Sequence, residues 1–227
     1  MFAGHLGVGL ALARAERRVN VGVLIGAALL LDLVLWPLVL LNWESVVIPA
    51  DFAVTRQLHF AFPYSHGLLA ALTWSLLAGA FGWLVWRRSQ AARWRAAALI
   101  GVAVFSHWLL DALVHRPELP LAGVASPAVG LGLWSDMPIA LAVEAALVIA
   151  GLWLFIPGSG LSRRRAIALT VLSVVVLVFT VVGMTIAPAP PSVPALASSS
   201  WITLIVVTAL ACWIGRVARQ PRPASVR

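Results

Sequence analysis

The sequence has little charge for its length. Of its 227 residues only 11% are charged, none is lysine and 62% are hydrophobic, and the mean hydropathy is +0.99. A soluble domain carries about 25% charged and about 45–50% apolar residues. This composition therefore excludes a water-soluble globule, and it excludes a disordered chain more strongly. It is typical of an integral membrane protein.

Cysteine is also scarce. The single cysteine, Cys212, lies in an apolar run, which excludes a disulfide framework and a CxxC zinc motif. Sixteen basic and eight acidic residues give a net charge of +8. In a chain this apolar, we interpret the excess as arginine sorted across a membrane rather than as a nucleic-acid surface. The expected partners are membrane lipids and not nucleic acid.

Six apolar runs approach or exceed the length of about 20 residues that a helix needs to cross a bilayer. They cover residues 21–41, 67–86, 96–114, 138–156, 166–187 and 199–215. The runs are predicted to be helices because open sheet edges cannot persist in lipid. Proline-containing segments separate several of them, and residues 187–194 are expected to form an extended spacer.

The apolar residues 1–13 are too few to cross a bilayer. Their charges, beginning at Arg14, follow the apolar stretch, whereas a signal peptide has its charges first. We predict a short helix that enters the bilayer and packs within the bundle, with a surface-lying amphipathic segment as the alternative. The predicted fold is thus all-α: a polytopic membrane bundle of six transmembrane helices plus this N-terminal helix, in one integral domain, 1–227.

Arginine positions predict the orientation of the spans. Only Arg56 and Arg116 fall on one side of the alternation, and the other fourteen arginines fall on the opposite side. These fourteen are Arg14, Arg17, Arg18, Arg87, Arg88, Arg93, Arg95, Arg163, Arg164, Arg165, Arg216, Arg219, Arg222 and Arg227. Because basic loops stay in the cytoplasm, we expect an inner-membrane protein with a cytoplasmic C-terminus.

Ionisable residues inside the runs are the candidates for a functional site. A carboxylate at a helix centre costs about 2.5–3.5 kcal/mol on insertion scales, so it normally faces the bundle interior and has a partner. His107 and Asp111 are four residues apart and share a helix face, which suits two ligands of one divalent ion. The alternative is a hydrogen-bonded pair that only joins helices.

Depth in the bilayer predicts which other residues join this pair. At about 1.5 Å per helical residue, Asp32 and His107 lie roughly 18 Å from the arginine-rich boundary, Asp111 roughly 24 Å and His5 roughly 14 Å. His66 begins the second run, near the outer boundary. We therefore predict one shared site open to the outer face. Imidazole and carboxylate ligands without a thiolate favour zinc, manganese or iron.

Two of the other polar residues have more than one interpretation. Glu144 is a candidate proton acceptor, a carboxylate that supports the metal ligands, or a partner of Arg116. Arg116 is a candidate for binding an anionic substrate or for extending to lipid headgroups. Asp136 is predicted to cap the helix that follows it. His59 and His115 are expected to be solvated loop residues.

Five segments resemble one known family, the YdjM-like inner-membrane proteins, described as membrane-bound metal-dependent hydrolases. They are His5-Leu-Gly-Val-Gly, Leu30-Leu-Asp-Leu, Pro63-Tyr-Ser-His-Gly67, Ser106-His-Trp-Leu-Leu-Asp111 and His115-Arg-Pro-Glu-Leu-Pro120. The resemblance covers about residues 1–155, and it leaves 166–215 as two additional spans. It implies His5, Asp32, His66, His107 and Asp111 as metal-site positions. Many members have a cluster of two acids where this sequence has Asp32 alone, which favours one metal over two.

The leading hypothesis is therefore a hydrolase with a divalent metal, preferably zinc. Such an ion would activate water and polarise a phosphoryl or acyl ester, with Glu144 accepting the proton. A site at outer-leaflet depth favours a lipid-borne substrate. A transporter or proton relay and a non-catalytic membrane scaffold are the alternatives, and the sequence leaves the oligomeric state open.

The orientation leads to a first prediction. A reporter fused after Arg227 should be active only if it works in the cytoplasm, because fourteen of the sixteen arginines would lie on that side. Paired fusions of a periplasm-active and a cytoplasm-active reporter measure this. Activity of the periplasmic reporter alone would contradict the orientation.

Overall fold

The computed structural model describes residues 1–88 and 90–216, and most of them are helical. Within these residues, five helices are long and apolar enough to cross a membrane. They are α5 (Leu68–Val85), α6 (Gln90–Val114), α7 (Met137–Phe155), α8 (Arg163–Thr185) and α9 (Val193–Ile214). The predicted runs match them closely, although α6 and α9 each begin six residues earlier than expected. Arg219, Arg222 and Arg227 of the orientation argument lie outside the described residues.

The first predicted span is broken into two helices. Residues Val21–Ala28 form α2 and Leu30–Leu40 form α3, and the two are bent by 50°. Counted as one, this pair brings the helices able to cross a membrane to six. Pro37 has no N–H for the carbonyl of Leu33, and the indole of Trp201 in α9 donates to that oxygen instead, at 3.2 Å. The neighbouring helix thus satisfies the polar group that proline frees.

The N-terminal helix α1 (Ala3–Ala13) packs among the other helices, and most of its residues are buried. His5, Leu6 and Leu10 are completely buried. A Cβ added to Gly7 would lie 2.5 Å from the backbone of Leu147 in α7. The two helix backbones therefore touch, a contact that small residues permit in membrane bundles.

Short strands occupy the loops at one end of the bundle. Residues Ser45–Val47 (β1) pair antiparallel with His59–Ala61 (β2), and a four-residue helix, α4 (Phe52–Thr55), lies between them. Leu119–Pro120 (β3) pair antiparallel with Ala128–Val129 (β4). The all-α prediction did not include these two hairpins. Their contribution is to bring the segments before α5 and after α6 close to the same part of the bundle.

Close contact between α2 and α9 leads to a second prediction. A Cβ on Gly22 would overlap the backbone of Ala211 and Cys212. One on Gly183 would meet none of the described residues within 4 Å. Gly22→Ala should therefore destabilise the protein by about 1–3 kcal/mol through overpacking. Thermal unfolding in detergent measures the effect, with Gly183→Ala as the control. Equal unfolding temperatures for the two variants would show that α2 and α9 are farther apart than in this structure.

Candidate metal centre

All five predicted metal-site residues come together in the structure. Helix α1 supplies one, α3 another, α6 two, and the residue before the N-cap of α5 the fifth. They are His5, Asp32, His107, Asp111 and His66, in that order. Four of them are at most 2% exposed, and the side chain of Asp32 is 22% exposed. These buried histidines and aspartates could hold a metal ion.

The donor atoms have the spacing of ligands around one ion. The Oδ2 of Asp111 lies 3.2 Å from Nε2 of His107 and 3.4 Å from Nε2 of His66, and the two nitrogens are 3.1 Å apart. The Oδ1 of Asp32 lies 3.6 Å from the His66 nitrogen and 3.8 Å from that of His107. Ligands about 2.1 Å from zinc at tetrahedral or octahedral angles are about 3.0–3.4 Å apart. A modest contraction would bring these groups to that geometry.

His5 lies on the other side of the same cluster, which confirms its predicted proximity to His107. Its ring stacks on that of His107 with centroids 3.7 Å apart, and its Nε2 lies 3.1 Å from Oδ1 of Asp111. Its Nδ1 is buried and has no hydrogen-bond partner among the described residues. Two possible ligand groups result, His5 with Asp32 and His107, and His66 with His107 and Asp111. Because both include His107, they describe one centre rather than two separate ones.

Hydrogen bonds to the outer nitrogens orient two of the imidazoles. The Nδ1 of His107 lies 2.7 Å from the carbonyl oxygen of Ala28, which can only accept, so Nδ1 carries the proton. This carbonyl lies at the break between α2 and α3. The hydroxyl of Ser65 donates to Glu44 and accepts from Nδ1 of His66, at 2.7 and 2.8 Å. Both Nε2 atoms therefore face inward, as in metal-binding histidines.

The cluster needs a positive charge at its centre. Two inward nitrogens 3.1 Å apart and two carboxylates are all acceptors, so together they repel unless a cation lies among them. Burial lowers the pKa of His66, but hydrogen bonds to Asp111 and Asp32, and their charges, outweigh it and raise the pKa to about 9. A proton on His66 supplies the charge where no other cation does. The amino nitrogen of Met1 also contacts Asp111, at 2.9 Å.

Glu44 supports the centre, although no pattern in the sequence indicated it. It is 4% exposed, and its Oε1 accepts from the backbone N–H groups of Tyr64 and Ser65, both at 2.8 Å. Together with its bond from the Ser65 hydroxyl, these contacts hold the turn that carries His66. Glu44 lies outside the apolar runs, so neither depth nor helical spacing indicated it.

The expectation that His115 is solvated is wrong. It is 5% exposed, its Nδ1 lies 2.7 Å from Glu118, and its Nε2 lies 3.8 Å from Oδ2 of Asp111. Its ring also packs against Trp134, with centroids 4.3 Å apart. The signal was present in the sequence, because His107, Asp111 and His115 follow one another at intervals of four residues. His59, by contrast, is exposed in β2.

Glu144 and Arg116 have contacts of their own. Glu144 is 2% exposed and accepts from the backbone N–H of Gly4 at 2.9 Å, so it binds the otherwise free N-terminal turn of α1. Arg116 donates to Glu118 at 3.1 Å. The alternative in which Arg116 pairs with Glu144 is therefore wrong. Asp136 accepts from the N–H of Ile139 at 3.3 Å, which confirms it as the cap of α7.

Comparisons with known proteins identify no relative of the chain. No family model matches it, no curated protein matches it, and no solved structure matches it. The chemistry of the buried cluster and the resemblance in sequence motifs are therefore the grounds for a functional proposal.

The contacts of Glu44 lead to a third prediction. Glu44→Ala leaves two backbone N–H groups and the Ser65 hydroxyl without their acceptor, so it should destabilise the protein by about 2 kcal/mol or more. Glu16→Ala is the control, because buried Glu16 accepts from a single backbone N–H, that of Arg18. Thermal unfolding in detergent compares them. A larger loss for Glu16→Ala would contradict the supporting role of Glu44.

Proposed function

We propose that the chain is an inner-membrane protein with six spans, in which α2 and α3 form one broken span and α1 is a short inserted helix. The contacts of its arginines support this arrangement. Arg14 and Arg95 line one cleft, so the end of α1 lies beside the start of α6. Arg165 donates to the carbonyl of Ile214, so the start of α8 lies beside the end of α9. Arg56 instead contacts the carbonyl of Ala187, in a segment predicted to be outside. The arginine-rich end would be cytoplasmic, with the C-terminus.

The buried cluster, in this proposal, binds one divalent metal ion, with zinc preferred and manganese or iron as alternatives. His66, His107 and Asp111 would hold it, with Asp32 and His5 completing the set. The observation that carries the proposal is the inward orientation of two imidazole nitrogens toward two carboxylates, with each outer nitrogen tied to a partner. A pair of interacting helices needs a single hydrogen bond, whereas a cation accounts for the whole convergence of acceptors.

The proposed activity is hydrolysis of a lipid-borne phosphoryl or acyl ester. A divalent metal supplies Lewis acidity and lowers the pKa of bound water toward neutrality. The protein would exclude bulk water, since four of the five residues are buried, and Asp32 would face the approach because its side chain is partly exposed. Arg116, with a side chain 39% exposed, would contact an anionic group. The motif resemblance to YdjM-like proteins points to the same reaction class.

The contacts of Glu144 change one part of the hydrolase hypothesis. Its hydrogen bond from Gly4 gives it a role in holding α1, whose His5 reaches the centre. We therefore propose Glu144 as a positioning residue rather than as the proton acceptor. Its effect on the reaction would pass through the placement of His5.

Transport is the second candidate function, and the broken span favours it. Transporters bind ions at discontinuous helices, where free carbonyls line a cavity. The carbonyl of Ala28 lies at the break between α2 and α3 and binds His107 directly. Uptake of a solute or ion into vesicles containing the purified protein, driven by a proton gradient, would favour transport over hydrolysis.

Metal content provides the fourth prediction. Protein purified without chelators should contain one divalent ion per chain, measured by elemental analysis. Asp111→Asn should remove most of it, because Asp111 contacts both His66 and His107. Membrane insertion and expression should change little. The rate of ester hydrolysis should fall in proportion to the loss of bound metal.

Two further variants make the metal test decisive. His107→Gln should lose metal as Asp111→Asn does, and exposed His59→Ala should retain the wild-type content. Binding of added zinc to the metal-free protein gives a second measurement. Failure of the wild-type protein to bind zinc, manganese or iron would overturn the metal proposal and favour the scaffold.

A further inference from the structure

A second cluster of charged residues surrounds a cleft away from the five residues of the metal centre. The cleft has a volume of about 470 Å³ and lies where α1 ends. Its lining residues come from the loop between α1 and α2 and from the first turns of α6. They are Arg14, Ala15, Glu16, Arg17, Arg18 and Arg95.

The backbone of the loop between α1 and α2 is held in place. Glu16 and Val19 are 7% and 3% exposed, and the N–H of Val19 donates to the carbonyl of Glu16 at 3.2 Å. The carboxylate of Glu16 accepts from the backbone N–H of Arg18 at 3.0 Å. Burial of these two residues leaves Arg14, Arg17 and Arg18 exposed. The loop thus presents several guanidinium groups from a defined backbone.

A third segment, the loop between α7 and α8, lies against the side chain of Arg17. Gly158, in the loop between α7 and α8, has a φ of +78°, and a Cβ there would lie 2.7 Å from Nη2 of Arg17. The absence of a side chain at this position allows the guanidinium to lie against the loop. Arg17 is therefore placed by packing, not only by the charge of its surroundings.

The positive charge of this cleft exceeds its negative charge, because four arginines and one glutamate, Glu16, line it. In the part of the chain that the structure describes, none of the four lining arginines lies within 4.0 Å of a carboxylate oxygen, and the one arginine ion pair is Arg116 with Glu118. The carboxylate of Glu16 is buried beneath the loop. Four guanidinium groups at one cleft repel one another, and a bound anion would remove that repulsion.

We propose that this cleft binds a phosphate group. Planar guanidinium groups form paired hydrogen bonds to phosphate oxygens, and a set from two segments can surround a tetrahedral anion. The cleft lies at the ends of apolar helices, and basic pockets between membrane helices bind the headgroups of anionic lipids. The shared ligand chemistry is a phosphate ester, from an anionic lipid or from a soluble molecule. The inference does not depend on the metal centre.

The test uses the full chain in nanodiscs of phosphatidylcholine. In one arm phosphatidylglycerol is added to the bilayer, and in the other inorganic phosphate is added to the solution. Binding is measured as the shift in unfolding temperature across a series of probe concentrations. A shift with phosphatidylglycerol alone assigns the cleft to a lipid headgroup. A shift with inorganic phosphate assigns it to a soluble phosphate compound.

Matched variants separate a site from general positive charge. Arg17→Gln with Arg95→Gln removes one arginine from each segment and should weaken the apparent affinity about tenfold or more. Arg14→Gln with Arg18→Gln should act in the same direction. Arg87→Gln with Arg88→Gln removes equal charge from exposed positions outside the cleft and should retain wild-type affinity. Equal losses in all pairs, or no response to either probe, would overturn the proposal.

Discussion

The carboxylate of Asp111 is the constraint around which the centre is built. A negative charge within an apolar helix is tolerated only with compensating groups, because hydrocarbon offers none. Here its oxygens lie within 3.4 Å of His5, His66 and His107, which come from three different segments. The inserted helix α1, the turn before α5 and helix α6 must all be in place for this charge to be compensated. The packing of the bundle and the chemistry of the centre therefore depend on each other.

Irregular backbone supplies the second layer of this arrangement. The break at Leu29 coincides with the carbonyl of Ala28 that orients His107, and the turn held by Glu44 orients His66. A continuous helix would use its carbonyls for its own hydrogen bonds, so the break makes one available. In membrane proteins such departures from regular helix occur where protein surrounds them. The location of this break beside the buried histidines follows that rule.

The buried metal centre and the arginine-lined cleft differ in the charge of their side chains. The buried cluster combines acids with histidines, which gives a centre suited to a cation. The cleft near Arg17 has four arginines and one buried acid, which suits an anion. The first is enclosed by helices and protected from solvent, whereas the second is formed by exposed side chains on a fixed loop. The two sites can therefore be tested independently by variants that leave the other intact.

The amino-acid sequence by itself determined the apolar helices, the inward position of α1 and the shared face of His107 and Asp111. These features follow from local rules, because hydrophobic length and helical spacing act over neighbouring residues. The convergence of five candidate ligands could also be predicted, since hydrocarbon penalises each polar group that has no partner.

Tertiary structure alone decided the role of Glu44, the packing of His115 against Trp134 and Phe60, and the bend at Leu29. Glu44 bonds the backbone of Tyr64 and Ser65, which lie beyond the hairpin of β1 and β2. His115 packs against Trp134 and Phe60 from other segments. Contacts between residues distant in sequence depend on how several helices pack at once. No local pattern in the chain specifies that packing. The bend at Leu29 likewise frees the carbonyl of Ala28, whose partner, His107, lies on another helix.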